Sequence, residues 1–166
     1  MVMKITAKLK TRVLEHYKKA RLAEERSDLK KALLEINKSL ELFPSVKKNF
    51  KLLITKSDIL KKLRRYKEAE RIVRQAITVK PNHWAGWLLY GAINFKLKSY
   101  ERAAYCYKKV VARKPDFNFY TILANAELTF DVKAALTDAK KALKLNPKWE
   151  EAIKIRDKAK KMLAAK

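Results

Sequence analysis

Apolar residues recur along this chain at intervals of three and four, with charged residues between them, and the pattern breaks at intervals of about 34 residues. Four short endings stand out, KSLELFP, RQAITVKP, KVVARKP and KALKLNP, closing at Pro44, Pro81, Pro115 and Pro147. These prolines are 37, 34 and 32 residues apart, and twelve residues before each lies an alanine: Ala32, Ala69, Ala103 and Ala135. Three residues before those alanines stand Leu29, Tyr66, Tyr100 and Val132, all apolar. A spacing of 3.6 predicts amphipathic helices, and a proline cannot continue one. Two helices per unit at a period near 34 predict an all-α helical solenoid.

Composition agrees with that reading. Among 166 residues there are only two glycines, Gly86 and Gly91, and four prolines, fewer than turn-rich sandwiches or dinucleotide folds require. A chain of this length suits one domain and buries roughly 70% of the surface that its unfolded form exposes. The lone cysteine, Cys106, has no internal disulfide partner, which fits a reducing, cytoplasmic setting. No apolar run approaches a membrane span. The opening MVMKITAKLKTR carries four cations and no acid, so organelle import stays open. Its stripe of Ile5, Leu9, Val13 and Tyr17 instead predicts a first packed helix.

The clearest unit, WAGWLLYGAINFKLKSYERAAYCYKKVVARKPDF from Trp84 to Phe117, resembles the tetratricopeptide repeat. Counted from Trp84, Trp87 is fourth, Tyr90 and Gly91 seventh and eighth, Phe95 twelfth, Tyr100 seventeenth, Ala103 twentieth, Tyr107 twenty-fourth and Pro115 thirty-second. Residues 50–83 keep Leu53, Ser57, Leu60, Tyr66, Ala69 and Pro81 but place Lys56 at the usually apolar seventh position. Residues 13–46 keep Ala20, Ala32 and Pro44, with His16 in place of the aromatic fourth residue. Residues 118–149 keep Ala135, Ala139, Ala142 and Pro147 with a shorter loop, and residues 150–166 form a capping helix with one apolar face.

The resemblance implies a right-handed α-solenoid of about four such repeats, one domain over residues 1–166. Its first helices would line a concave groove for a peptide or helix of a partner protein. Carrying the family's groove positions across gives Ile54, then Leu88, Ala92 and Phe95, then Phe119, Ile122 and Ala126. A branch of the family clamps a C-terminal carboxylate with Lys, Asn and Arg. The matching residues here are Tyr17, Arg21, Thr55, Ala85 and Leu89, which do not reproduce that clamp. An amphipathic helix or apolar peptide is the expected occupant.

Catalytic chemistry is not signalled. Two glycines five residues apart cannot form a nucleotide loop, and His16 and His83 lack neighbours at metal-ligand spacing, so no metal, cofactor, small-molecule substrate or enzymatic activity is expected. Cys106, between Tyr105 and Tyr107, reads as a packed thiol.

Charge adds a second candidate surface. The formal net charge is +24, and residues 45–82 hold twelve cations against three acids. Such an excess points to a polyanionic partner, RNA or a ribonucleoprotein first, otherwise an acidic protein. Within KKLRRYKEAERIVR the candidate anion-binding residues are Lys61, Lys62, Arg64, Arg65, Arg71 and Arg74. Lys61 and Lys62 also suit a helix C-terminus. Arg65 stands where the sister units have Asp28, Ser99 and Asp131, which are able to cap the following helix. Arginine accepts nothing, so an external anion or a tolerated loss is expected there.

Overall fold

The computed structural model describes residues 7–42 and 48–165, so Pro44, Lys47, the first six residues and Lys166 lie outside the described residues. Nine α-helices occur among those described: α1 (Ala7–Glu25), α2 (Leu29–Glu41), α3 (Phe50–Lys62), α4 (Tyr66–Val79), α5 (Trp84–Lys96), α6 (Tyr100–Val111), α7 (Phe117–Glu127), α8 (Val132–Leu145) and α9 (Glu150–Ala164). They fall into two compact units, Met1–Gly86 and Trp87–Lys166, divided within α5. In the first unit α1 packs on α2, α2 on α3 and α3 on α4; in the second α6 packs on α7, α7 on α8 and α8 on α9. This neighbour-on-neighbour packing is that of a helical solenoid.

Small residues set the spacing of each helix pair. Ala20, Ala32, Ala69, Ala103 and Ala135 are all fully buried. At the eighth position of the second repeat, the buried Ser57 donates its Oγ–H to the Ala69 carbonyl at 2.8 Å, so the hydroxyl is paired as well as enclosed. At the same position of the third, a Cβ on Gly91 would lie 2.7 Å from Cδ1 of Tyr107 and nearer still to Cε1. Only glycine lets that ring lie against the helix.

The turns inside the first three repeats share one geometry without using glycine. Ser27, Arg64 and Lys98 adopt φ of 60°, 60° and 59°, each just past a helix C-terminus. The Arg64 N–H bonds to the Lys61 carbonyl at 3.0 Å and the Arg65 N–H to the Leu60 carbonyl at 2.9 Å, and the same pair of bonds recurs around Ser27 and Lys98. This is a Schellman termination, in which a left-handed residue lets its own amide and the next one pair with free carbonyls. A non-glycine residue there costs about 1 kcal/mol. The fourth repeat has no such residue among those described; its shorter loop closes with the Asp131 N–H on the Glu127 carbonyl at 2.7 Å.

Two buried acids face cationic or imidazole side chains of the neighbouring helix. His16 Nδ1 lies 2.7 Å from Glu35 Oε2, and Lys38 donates to Glu35 Oε1 at 2.9 Å. His16, followed by Lys38, holds the Glu35 carboxyl below its ordinary range despite burial. In the second unit Glu127 is fully buried, with the Lys108 ammonium 2.9 Å from its Oε1. Burial, helped by Asp138, which is itself paired with Lys141 at 2.7 Å, raises the Glu127 carboxyl to about 6 against the opposing pull of Lys108.

The sign of that shift makes a pH prediction. A folded pKa raised from 4.5 to about 6 favours the protonated, folded form, so stability from Glu127 is present below pH 4.5 and is lost as pH rises through about 6. Glu127→Gln removes the loss. Urea unfolding across that window is expected to show the variant gaining on the parent by up to about 2 kcal/mol as pH rises. A constant difference at every pH would contradict the assignment.

Candidate partner-binding surfaces

In the second unit, the groove residues rest on a core of Ala103, Ala104, Tyr107, Leu123 and Ala126. Leu88, Phe95 and Ile122 are half-buried and pack against it, and the edge of one ring meets the other between Phe95 and Tyr100, at 5.2 Å and 76°. Ala92 and Phe119 are also half-buried, with the Lys114 ammonium 5.8 Å from the Phe119 ring centre. Ala126 departs from expectation. It is fully buried within that core and presents no surface to an incoming segment, because α7 turns it toward α6.

In the first unit, Ile54 is half-buried on α3. The more open apolar surface there is a notch lined by Lys10, Val13, Leu14, Tyr17, Asn49, Lys51 and Leu52. Leu14 is 50% exposed, which is unusual for a leucine beside a packed helix pair. Lys51 Nζ sits 4.7 Å from the centre of the Tyr17 ring, and Asn49 caps α3 by accepting the Leu52 N–H at 3.2 Å. Sequence positions alone pointed to Ile54 and passed over Leu14. Its signal was an extra apolar residue beside the Val13 and Tyr17 stripe.

The basic stretch divides once its partners are known. Lys61 Nζ lies 2.6 Å from Asp58 Oδ1; Lys62 bonds to Glu24 and lies 3.2 Å from Asp58 Oδ2. Burial pushes the Asp58 carboxyl up, but the two lysines outweigh it and hold it below its ordinary range. Arg65 grips Glu68 through two parallel bonds, Nε to Oε1 and a terminal nitrogen to Oε2, both 2.6 Å. The anion expected from outside at Arg65 is therefore supplied by the chain's own Glu68 in the first turn of α4, where a carboxylate also suits the helix dipole. Asp28 and Asp131 cap their helices by accepting the N–H groups of Lys31 and Ala134, both at 3.0 Å. Ser99 departs from expectation and makes no side-chain cap bond.

Arg64, Arg71 and Arg74 remain exposed, with no carboxylate in ion-pair range among the described residues. Arg64 stands at the tip of its turn. Arg71 and Arg74 line a shallow depression on α4 with Lys67, Glu70, Gln75 and Thr78.

Of the other candidate chemistry, Cys106 is buried. Burial raises the Cys106 thiol to about 12, too high for a nucleophile at neutral pH. His83 lies against Phe50, ring centres 4.6 Å apart, and Trp149 meets Phe117 edge to face at 5.0 Å. Among the described residues no three His, Cys, Asp or Glu side chains converge as a metal site, and no helix is long and apolar enough to cross a membrane.

The tetratricopeptide repeat family model matches residues 54–117, which span α4, α5 and α6. Those residues belong to the tetratricopeptide-repeat family. Solved structures extend the fold across the chain. A tetratricopeptide repeat protein from Parabacteroides merdae superposes with a TM-score of 0.85 at 17% identity, covering 93% of this chain; the match spans 61% of the length of that relative. MamA from Desulfovibrio magneticus RS-1 gives 0.79 at 19% identity, covering 97% of this chain and 94% of its own. The first repeat domain of Spaghetti (RPAP3), bound to the HSP90 peptide SRMEEVD, gives 0.66 at 18% identity, covering 72% and 93%. The fold is thus an all-α solenoid of tetratricopeptide-type repeats. No curated protein sequence matches the chain.

The pairing of Arg65 with Glu68 leads to a test. Arg65→Asp restores the acceptor used by Asp28 and Asp131, and the gain expected in chemical denaturation is about 1 kcal/mol. A loss of stability would show that the Arg65–Glu68 pair outweighs a cap.

Proposed function

We propose that this chain is a non-enzymatic adaptor that holds an acidic, partly apolar segment of a partner protein. The observation that carries this reading is the notch of the first unit, whose apolar floor of Val13, Leu14, Tyr17 and Leu52 is framed by the cations Lys10 and Lys51. An apolar side chain fills such a floor, and carboxylates beside it meet the two ammonium groups. The half-buried face of Leu88, Phe95, Phe119 and Ile122 offers a second apolar contact in the other unit. Spaghetti (RPAP3), of similar fold, is bound to a peptide with two adjacent glutamates, which supports an acidic partner as compatible with this architecture.

A second reading follows from Arg64, Arg71 and Arg74, which form no ion pair among the described residues, and from the net charge of +24. They suit the phosphates of RNA or a ribonucleoprotein, with aromatic stacking absent from the contact. Three phosphate contacts give a log-log salt slope of about −3.

Two measurements separate these readings. Fluorescence anisotropy with a peptide alternating Leu and Glu is expected to show binding that Leu14→Glu with Lys51→Glu weakens at least about tenfold, or 1.4 kcal/mol. Equal affinity for a Lys-containing counterpart, or no effect of the substitutions, would defeat the adaptor reading at this notch. For RNA, gel shifts at low salt are expected to lose the complex when Arg64, Arg71 and Arg74 are replaced by Glu; an unchanged complex places the contact elsewhere.

A further inference from the structure

Lys56 occupies the seventh position of its repeat, where an apolar side chain is usual, and its environment departs accordingly. It lines a pocket of about 270 Å³ with Asn37, Leu40, Glu41, Leu53, Ile72 and Gln75, drawn from α2, α3 and α4 of the first unit. Leu40, Leu53 and Ile72 are almost wholly buried and make an apolar wall. The buried Asn37 Oδ1 accepts no hydrogen bond from the described residues. No carboxylate among those residues forms an ion pair with Lys56, in contrast to Lys61 and Lys62. Gln75 is shared with the neighbouring depression on α4, which carries Lys67, Arg71 and Arg74.

We propose that Lys56 is an acylation site, taking a short acyl group from a thioester borne on a phosphorylated carrier. The apolar wall of Leu40, Leu53 and Ile72 receives the acyl chain beside the amine. Asn37 Oδ1 accepts an amide or hydroxyl hydrogen of the carrier, and Lys67, Arg71 and Arg74 receive its phosphates. The neutral Lys56 Nζ attacks the thioester carbonyl; a C–N bond forms, the C–S bond breaks, the carrier leaves as its thiolate, and the surplus proton on nitrogen passes to solvent. The protein cation is exchanged for a neutral amide, and no oxidant or reductant is needed.

Burial favours the neutral amine that such an attack requires. Burial, followed by the Arg71 cation, pushes the Lys56 ammonium below its ordinary range, with Arg65 acting in the same direction and Glu41 and Glu68 against it. Lys62 and Lys141 are moved the opposite way by their carboxylates. A free amine next to an apolar recess, with cations in the adjoining depression for an anionic carrier, also gains from proximity once the donor is held.

The test is residue-resolved mass spectrometry of the full chain after exposure to butyryl-coenzyme A, with N-acetoxysuccinimide as a donor that lacks the carrier. Lys56 is expected to acylate on the order of tenfold faster than the median lysine with the thioester. Labelling at or below the median overturns the proposal. Lys67→Ala with Arg74→Ala leaves every charged neighbour named for Lys56 in place. This variant is expected to slow the thioester reaction several-fold and leave the ester reaction unchanged; equal rates with the thioester overturn the carrier's placement. Lys56→Arg keeps the cation and is expected to abolish the dominant label while circular dichroism stays unchanged. Persistence of that label would assign it to another lysine.

Discussion

Everything in this molecule depends on how closely two helices of one repeat approach each other. That distance is set by the smallest side chains in the sequence. Ala20 in the first repeat, Ser57 in the second and Gly91 in the third stand where the first helix crosses the second, with Ala32, Ala69 and Ala103 in the second helices of the same repeats. The three positions solve one steric problem in different ways. Alanine is simply small, serine adds a hydrogen bond to the opposite helix, and glycine makes room for the Tyr107 ring. Larger side chains then fill the space that the crossing leaves, which gives each repeat a core of its own and each neighbour a surface to pack on.

On that frame the charges are not equivalent, although composition makes them look so. Lys61, Lys62 and Arg65 belong to local networks with Asp58, Glu24 and Glu68 and contribute less to the outward field than their number suggests. Among the described residues Arg64, Lys67, Arg71, Arg74 and Lys56 make no ion pair, and all but Arg64 line the depression on α4 or the pocket beside it. Lysine at an apolar position therefore has two effects. It leaves a recess where a leucine would have packed, and it places an amine at the recess wall.

Buried acids follow the same logic in reverse. Glu35 is held charged by His16 and Lys38, whereas Glu127 beside Asp138 is held closer to neutral, although each lies under a helix pair. At Glu127 burial is the largest effect and Asp138 adds to it, with Lys108 alone opposing; at Glu35 the hydrogen bonds of His16 and Lys38 outweigh burial.

Much of the fold was legible along the chain because its causes are local: the period of prolines and alanines, the 3.6-residue apolar spacing, and the small residue eight positions into a repeat all express contacts within one helix pair. Arg65 shows where that legibility ends. The absence of a capping side chain was readable, but its partner Glu68 depends on side-chain geometry that spacing does not specify. Ala126 fails for another reason: it packs with Ala103, Ala104 and Tyr107 of α6, a contact that its place in the repeat does not specify. The period, helices and excess charge were determined by the sequence itself; which apolar residues remain open and which cations remain free was decided by tertiary structure. Exposure and ion pairing depend on what another helix brings near, as Glu24 does for Lys62 from 38 residues away.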